Sequence, residues 1–300
     1  MRRALAALPI LLLLPAPTLR AQVVTRAAGE FQLSVDTSLA FPGGLIAVRL
    51  SSRRGLPALA FAVLDGRRCP FFAEGRDWRA LVPVAATDPA GVRTLGIDLR
   101  SRRGRRLVPF TVEVPARAYP ARTVPLPELK RPLLAEPGVV RDSRRVQLLL
   151  RTESPLRRWI GPFRPPVDAP PVFSYGAPTA YPGAAAVETL TDCIYGEVHR
   201  GMDYPVPAGT VVQSPAAGVV LMASTLPVTG QTLVLDHGQG VLSVFFHLGR
   251  LDVAEGQLVE GRFPIGVSGD SGIAAEPHVH WAVYVHGVAV DPRVLERLRE

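Results

Sequence analysis

All six histidines of the 300-residue chain lie beyond residue 198. Four of them, with one aspartate, fall into three short motifs: His199-Arg-Gly201-Met-Asp203, Phe245-Phe-His247-Leu248 and Pro277-His278-Val279-His280-Trp281. In a strand, residues i and i+2 face the same side, so His278 and His280 project together while Val279 turns away into packing. His199 and Asp203, four apart around Gly201, converge if the segment makes a tight loop or a helical turn. His280, His199 and Asp203 then offer two nitrogens and one carboxylate oxygen and leave a fourth tetrahedral position for water. That is the layout of a catalytic rather than a closed structural zinc site. The same donor set also suits non-haem iron. His247 and His278 are left to orient or deprotonate the water and to stabilise the oxyanion of a tetrahedral intermediate. The chemistry that fits is metal-dependent hydrolysis.

The other histidines read as bland. His237, beside Asp236 in a His-Gly turn, is expected to be structural, and His286, before Gly287, to be exposed and inert. Trp281 alternates with His280 and is expected in the core.

The elements that must position these residues are strands. Residues 172–300 carry β-rich runs at Val211–Gln213, Gly218–Ala223, Gln231–Asp236, Val241–His247, Phe263–Val267 and His278–Val285, with glycines at the turns and only a short helical tail near the C-terminus. The pattern predicts an antiparallel β-sheet domain. Residues 22–115 alternate apolar and polar positions at spacings that predict a small antiparallel sandwich of immunoglobulin-like type, with an Asp65-Gly66 hairpin turn and no residue that looks catalytic. The fold class is therefore all-β. Residues 116–171 read as a linker. A short amphipathic helix is expected between Val146 and Trp159, ended by Pro155, and the proline-rich stretch 161–171 as a semi-rigid spacer.

Residues 1–21 read as a signal peptide: Arg2 and Arg3, an 11-residue apolar run from Ala4 to Leu14, and Ala21 at the cleavage point. The run is too short to span a bilayer, which takes about 20 residues. No other span is evident and no cysteine follows the run, so the chain is expected to be periplasmic or secreted, without a transmembrane anchor, and monomeric. The net charge of +8 is split, with residues 22–187 carrying +12 and residues 188–300 carrying −7. In an exported chain a basic module meets anionic envelope polymers rather than nucleic acid; a general preference for arginine, with Lys130 the sole lysine, is the alternative reading. Export also permits a disulfide between Cys69 and Cys193, with two free thiols as the alternative; Cys193 precedes His199 by six residues and is also placed to cap a metal.

Residues 195–292 resemble the lysostaphin or LytM-type zinc metallopeptidases of bacterial cell walls. The resemblance rests on His199-Arg-Gly201-Met-Asp203, Gly209-Thr-Val-Val212, Gly218-Val-Val220, Asp236-His237-Gly-Gln-Gly240, Phe245-Phe-His247-Leu248, Gly256-Gln-Leu-Val259, Gly266-Val-Ser-Gly269-Asp-Ser-Gly272 and Pro277-His278-Val279-His280, in the family's order. It implies the duplicated hybrid-motif sheet of that family, with His199, Asp203 and His280 as ligands of one zinc ion per chain and His247 and His278 as the catalytic pair. It also implies an endopeptidase whose substrates are peptidoglycan stem or cross-link peptides. Phe245 stands where the family usually has tyrosine, and Glu276 where glycine often precedes Pro-His. A non-catalytic regulator of another wall hydrolase is the alternative reading, although such chains usually lack ligands and this one keeps them all. In some relatives a preceding segment covers the cleft, an expectation that extends here to the N-terminal part or to residues 116–171.

Overall fold

The computed structural model of the chain describes residues 23–52, 59–101, 104–172, 175–181 and 198–298. The expected signal peptide and Cys193 lie outside these residues, as do Arg53, Arg54, Arg102 and Arg103 of the basic 22–187 region. Among the described residues no helix is long and apolar enough to cross a membrane.

The N-terminal part is built from β1 (Val23–Ala28), β2 (Phe31–Asp36), β3 (Leu45–Ser52), β4 (Leu59–Leu64), β5 (Arg67–Pro70), β6 (Phe72–Glu74), β7 (Asp77–Pro83), β8 (Gly91–Ser101) and β9 (Gly104–Val114). They form two antiparallel sheets, β1-β2-β3-β7-β6 and β5-β4-β8-β9. The period-2 pattern of the sequence explains the packing: Leu33, Val35, Val48 and Leu50 of the first sheet meet Ala62, Leu64, Leu95, Ile97 and Phe110 of the second in one closed core. Cys69 belongs to this core as a free thiol, and burial pushes its pKa up to about 12.

The C-terminal part is a nine-stranded antiparallel sheet. Its strands are β12 (Met202–Tyr204), β13 (Val211–Gln213), β14 (Gly218–Leu226), β15 (Gly230–Gly238), β16 (Val241–Leu251), β17 (Leu258–Val259), β18 (Pro264–Ser268), β19 (Val279–Val285) and β20 (Val288–Val290). The main path runs β12-β19-β16-β15-β14-β17. Both faces of the central strands are covered. On one side Met202, Tyr204, Phe245, Trp281 and Val283 pack with Trp159, Phe163 and Tyr175, and with Leu45 and Leu81 of the sandwich. On the other, Val244, Phe246, Ala282 and Tyr284 pack beneath α1 (Val139–Leu149), which contributes Val146.

That helix begins upstream of the expected 146–159 span and ends early within it. Its buried positions Val139, Ser143 and Val146 are spaced as one helical face, whereas Leu148 is exposed and Trp159 sits in extended chain on the opposite side of the sheet. The proline-rich stretch is anchored to the sheet through Phe163, Pro166 and Val167, which are buried. Phe163 is fully buried, and the backbone amides of Phe163, Arg164 and Gln213 donate to Leu295, Pro215 and Pro166 carbonyls.

The sandwich and the sheet share a core. Tyr175 Oη accepts from the Ala86 amide at 3.2 Å and donates to the Ala289 carbonyl at 2.7 Å. Gly43, at φ +87°, leaves that ring room: a Cβ there would lie 2.5 Å from Tyr175 Cε1. His286 is not an exposed residue. Its side chain is 6% accessible, lies parallel to the Phe72 ring of the sandwich and bonds Glu153 at 2.8 Å, because the β19–β20 turn is pressed onto that module.

Between the two parts, residues 117–135 run across the sheet's open end. β10 (Arg122–Thr123) pairs in parallel with β11 (Thr179–Ala180), and a 3-10 helix follows over Glu128–Ala135.

Candidate metal centre

Register brings the first two donors together. In the antiparallel pair β12–β19, Asp203 stands directly opposite His280, and on the next strand Phe246 stands opposite His280 from the other side. Directly opposed residues share a sheet face. Thus Asp203, His280 and Phe246 form one row, and the Phe246 ring stacks on His280 with centroids 5.0 Å apart. Met202, Tyr204 and Trp281, the alternate positions, are driven into the core on the opposite face.

His199 arrives from the loop before β12. Gly201 permits the approach, since a Cβ there would lie 2.6 Å from the Trp281 carbonyl and 2.7 Å from His280 Nε2. His199 Nε2 then lies 3.1 Å from His280 Nδ1 and 3.2 Å from Asp203 Oδ1, while His280 Nδ1 lies 2.8 Å from the same oxygen. Bonds of about 2.0–2.1 Å at tetrahedral angles place donor atoms roughly 3.3 Å apart, so the three atoms already sit close to the edges of such a tetrahedron. Among the described residues this is the one group of three that could hold a metal ion. All three residues are buried.

The electrostatics suit a cation. Burial raises the Asp203 carboxyl, but His199 and His280 outweigh it and hold the group well below the usual carboxylate range. Burial lowers His280 to about 4 despite the pull of Asp203, so the ring is neutral with a lone pair to give.

His247 reaches the same face by a backbone irregularity. Between Phe245 and Leu248, β16 advances three residues while β15 advances two, from Leu233 to Gln231. His247 occupies the extra position with φ +63°. A bulge of this kind re-aims a side chain, and a non-glycine residue in the left-handed region is strained. Here the turn places His247 and His278, successive neighbours of the donor row, with ring centroids 4.9 Å apart. His247 Nδ1 donates to the Ser271 carbonyl and His278 Nδ1 to the Glu276 carbonyl, both at 2.8 Å. With each Nδ1 engaged in this way, Nε2 is the ring atom left to act toward the cleft. His278 Nε2 lies 3.9 Å from Asp203 Oδ1. Burial, then the neighbouring His278 and His280, lowers His247 to about 3.

These five residues line a cleft of about 540 Å³. Glu276, Phe246 and Tyr284 line it from the sheet side, and Val124, Pro125 and Leu126 of the connecting segment form the facing wall. That wall is fastened by Lys130, whose ammonium donates to the Asp270 and Ala274 carbonyls at 2.5 and 2.7 Å, and by Leu126 packed with Val228 and Ile273.

His237 stands apart from the site. Its Nδ1 donates to the Ala217 carbonyl at 2.8 Å and its Nε2 accepts from Ser243 Oγ at 2.9 Å, which in turn accepts from Trp281 Nε1.

Residues 197–292 match the family described as Peptidase family M23. This stretch is an M23 peptidase domain. The M23 domain is 36% identical over 93 residues to a Vibrio cholerae protein named peptidoglycan DD-endopeptidase ShyA, a match covering 31% of this chain and 22% of that one. It is 34% identical over 95 residues to the Neisseria meningitidis protein named DD-carboxypeptidase/endopeptidase Mpg, covering 32% and 22%. The similarity therefore spans about a fifth of the length of these curated relatives. A crystal structure of an M23 peptidase from Pseudomonas aeruginosa is similar over 87% of this chain and 96% of its own, with 26% identity and a TM-score of 0.62. That likeness extends well beyond the M23 domain into the preceding residues.

One charged residue of the centre carries no local sequence signal. Arg122 of β10 places Nη1 2.9 Å from Asp203 Oδ2, the carboxylate oxygen turned away from the histidines. It sits 81 residues before its partner, in a stretch with no periodicity or motif to mark it.

Proposed function

We propose that the chain is an exported zinc metalloendopeptidase that hydrolyses peptide bonds in peptidoglycan stems or cross-links, with one zinc ion per chain. The observation that carries this reading is the convergence of His199 Nε2, Asp203 Oδ1 and His280 Nδ1 in a cleft that His247 and His278 flank. The two imidazole nitrogens, the ionised carboxylate and their spacing fit zinc, with His199, Asp203 and His280 holding it. Bound there, the ion would supply Lewis-acid activation of water and of the scissile carbonyl.

The chain's own residues do the rest. His247 and His278 turn Nε2 toward the cleft, each held by a backbone carbonyl on its Nδ1 side. One takes the proton of the attacking water on Nε2 and returns it to the leaving amine; the other, in the form that carries a proton on Nε2 as well as on Nδ1, donates to the oxyanion of the tetrahedral intermediate. The low pKa of His247 keeps it neutral and able to accept at neutral pH. Phe246, stacked on His280, and the Val124–Leu126 wall exclude bulk water from that side.

We further infer that residues 22–115 form an immunoglobulin-like module. The order β2-β3-β7-β6 opposite β5-β4-β8-β9 corresponds to strands A-B-E-D facing a C-F-G sheet, with β1 and β5 as additional edges. Its exposed arginines, Arg105 and Arg106 among them, supply a basic surface for anionic envelope polymers.

Purified peptidoglycan treated with residues 22–300 should release soluble peptides, read by mass spectrometry, and the cleaved bond follows from their masses. Release should vanish on zinc removal and in His247→Ala. Stoichiometric zinc with no release, also after deletion of residues 22–115, would overturn the enzymatic reading in favour of a binding or regulatory role.

A further inference from the structure

The two oxygens of Asp203 face different partners. Oδ1 is turned to His199 and His280, whereas Oδ2 receives Arg122 Nη1 at 2.9 Å. Arg122 is itself held in place. Its Nε donates to Thr179 Oγ1 at 2.9 Å, Thr179 Oγ1 donates to the Ala177 carbonyl, and Tyr181 hydrogen-bonds its side chain. Its backbone amide donates to the Pro178 carbonyl at 2.8 Å, and the β10–β11 pairing fixes the strand. The Arg122 and Asp203 side chains are 10% and 12% accessible.

Resting on the metal-centre reading above, we propose that Arg122 is a positioning residue for the metal. By occupying Oδ2 it locks the carboxylate rotamer that directs Oδ1 at the ion, as groups behind metal ligands commonly do. The connecting segment is thus an integral part of the centre as well as a wall of its cleft. A planar guanidinium suits this task because Nη1 and Nε point to two fixed acceptors at once. Its positive charge acts in the opposite direction, repelling a cation. The sign of the effect therefore distinguishes a positioning group from an electrostatic brake.

The test compares residues 22–300 with the variants Arg122→Gln and Arg122→Lys. Zinc affinity is measured by competition with a chromophoric chelator, and the ligand field by the visible absorption of the Co2+-loaded proteins. Arg122→Gln should bind zinc about 10–100-fold more weakly and give a shifted Co2+ spectrum. Arg122→Lys, which keeps a donor and the charge, should recover most of the affinity, with both variants retaining the wild-type far-ultraviolet dichroism. Equal or tighter zinc binding by Arg122→Gln, with an unchanged Co2+ spectrum, would overturn the inference and leave the metal-centre reading intact. Failure of the wild type itself to hold zinc would overturn both. None of these readings depends on which peptide bond is cut.

Discussion

The sandwich and the sheet are both all-β, yet they use their strands differently. In the sandwich, β2 and the Val108–Val114 part of β9 alternate buried and more exposed positions, and each of these strands commits one face to a core. In the sheet, the first eight residues of β16 and all of β19 are buried without alternation. Their second face carries hydrophobic packing at one end and the histidine–carboxylate cluster at the other. A one-sided strand has nowhere to hide a polar cluster. A strand covered on both faces can hold one in a low-dielectric setting, where charges and dipoles act strongly.

The comparison is broken most severely by removing a donor. Asp203→Ala should abolish zinc binding, measured by competition, and peptide release with it. His247→Ala should retain zinc but lose roughly 10²–10⁴ in rate, the usual worth of a proton-transfer group. Equal loss of zinc in both would erase the distinction between donors and flanking histidines.

Core truncations test whether the two regions are separable. Leu50→Ala, confined to the sandwich core, should cost about 2–5 kcal/mol in denaturant unfolding, and Trp281→Ala about 3–5. Only the second should also reduce the rate per folded molecule, because Trp281 braces the strand that carries His280.

Acid sharpens the contrast further, because the sandwich has no histidine. Burial holds His237 at about 4 against an ordinary value near 6.5. As pH falls, the unfolded chain takes up the proton first. The stability from this group is complete above pH 6.5 and drains away between 6.5 and 4, in total about 3 kcal/mol. His237→Gln, which can still donate to the Ala217 carbonyl and accept from Ser243, should flatten that part of the pH–stability curve. At the small end, Arg145→Ala, which breaks the half-exposed pair with Glu255, should change unfolding stability by less than about 0.5 kcal/mol.

What the sequence disclosed follows from range. The His278–His280 spacing and the burial of Trp281 depend only on period-2 geometry, and both are legible at a glance. The alternation in residues 22–115 likewise suffices for sheets. The convergence of His199 with Asp203 needed Gly201, whose role is visible only once Trp281 is seen above it. Three features depended on contacts distant in sequence and left no local trace. Arg122 reaches Asp203 across 81 residues, and the proline-rich stretch packs on strands that follow it. His286 is covered by Phe72 of a module more than 200 residues earlier. The helix was placed too late because the leucine run 148–150 marks only its end: Leu150 is buried beside Val146, while the weaker Val139, Ser143, Val146 stripe that opens the buried face has no such signal.

The left-handed backbone at His247 bears on how such chains change over time. A residue there other than glycine costs about 1 kcal/mol or more, a burden tolerated only while the imidazole is needed. In any lineage released from hydrolysis, glycine at this position would relieve that strain, against the loss of the buried ring and its bond to Ser271. Among the five site residues, it is therefore the first whose loss should record a change of occupation.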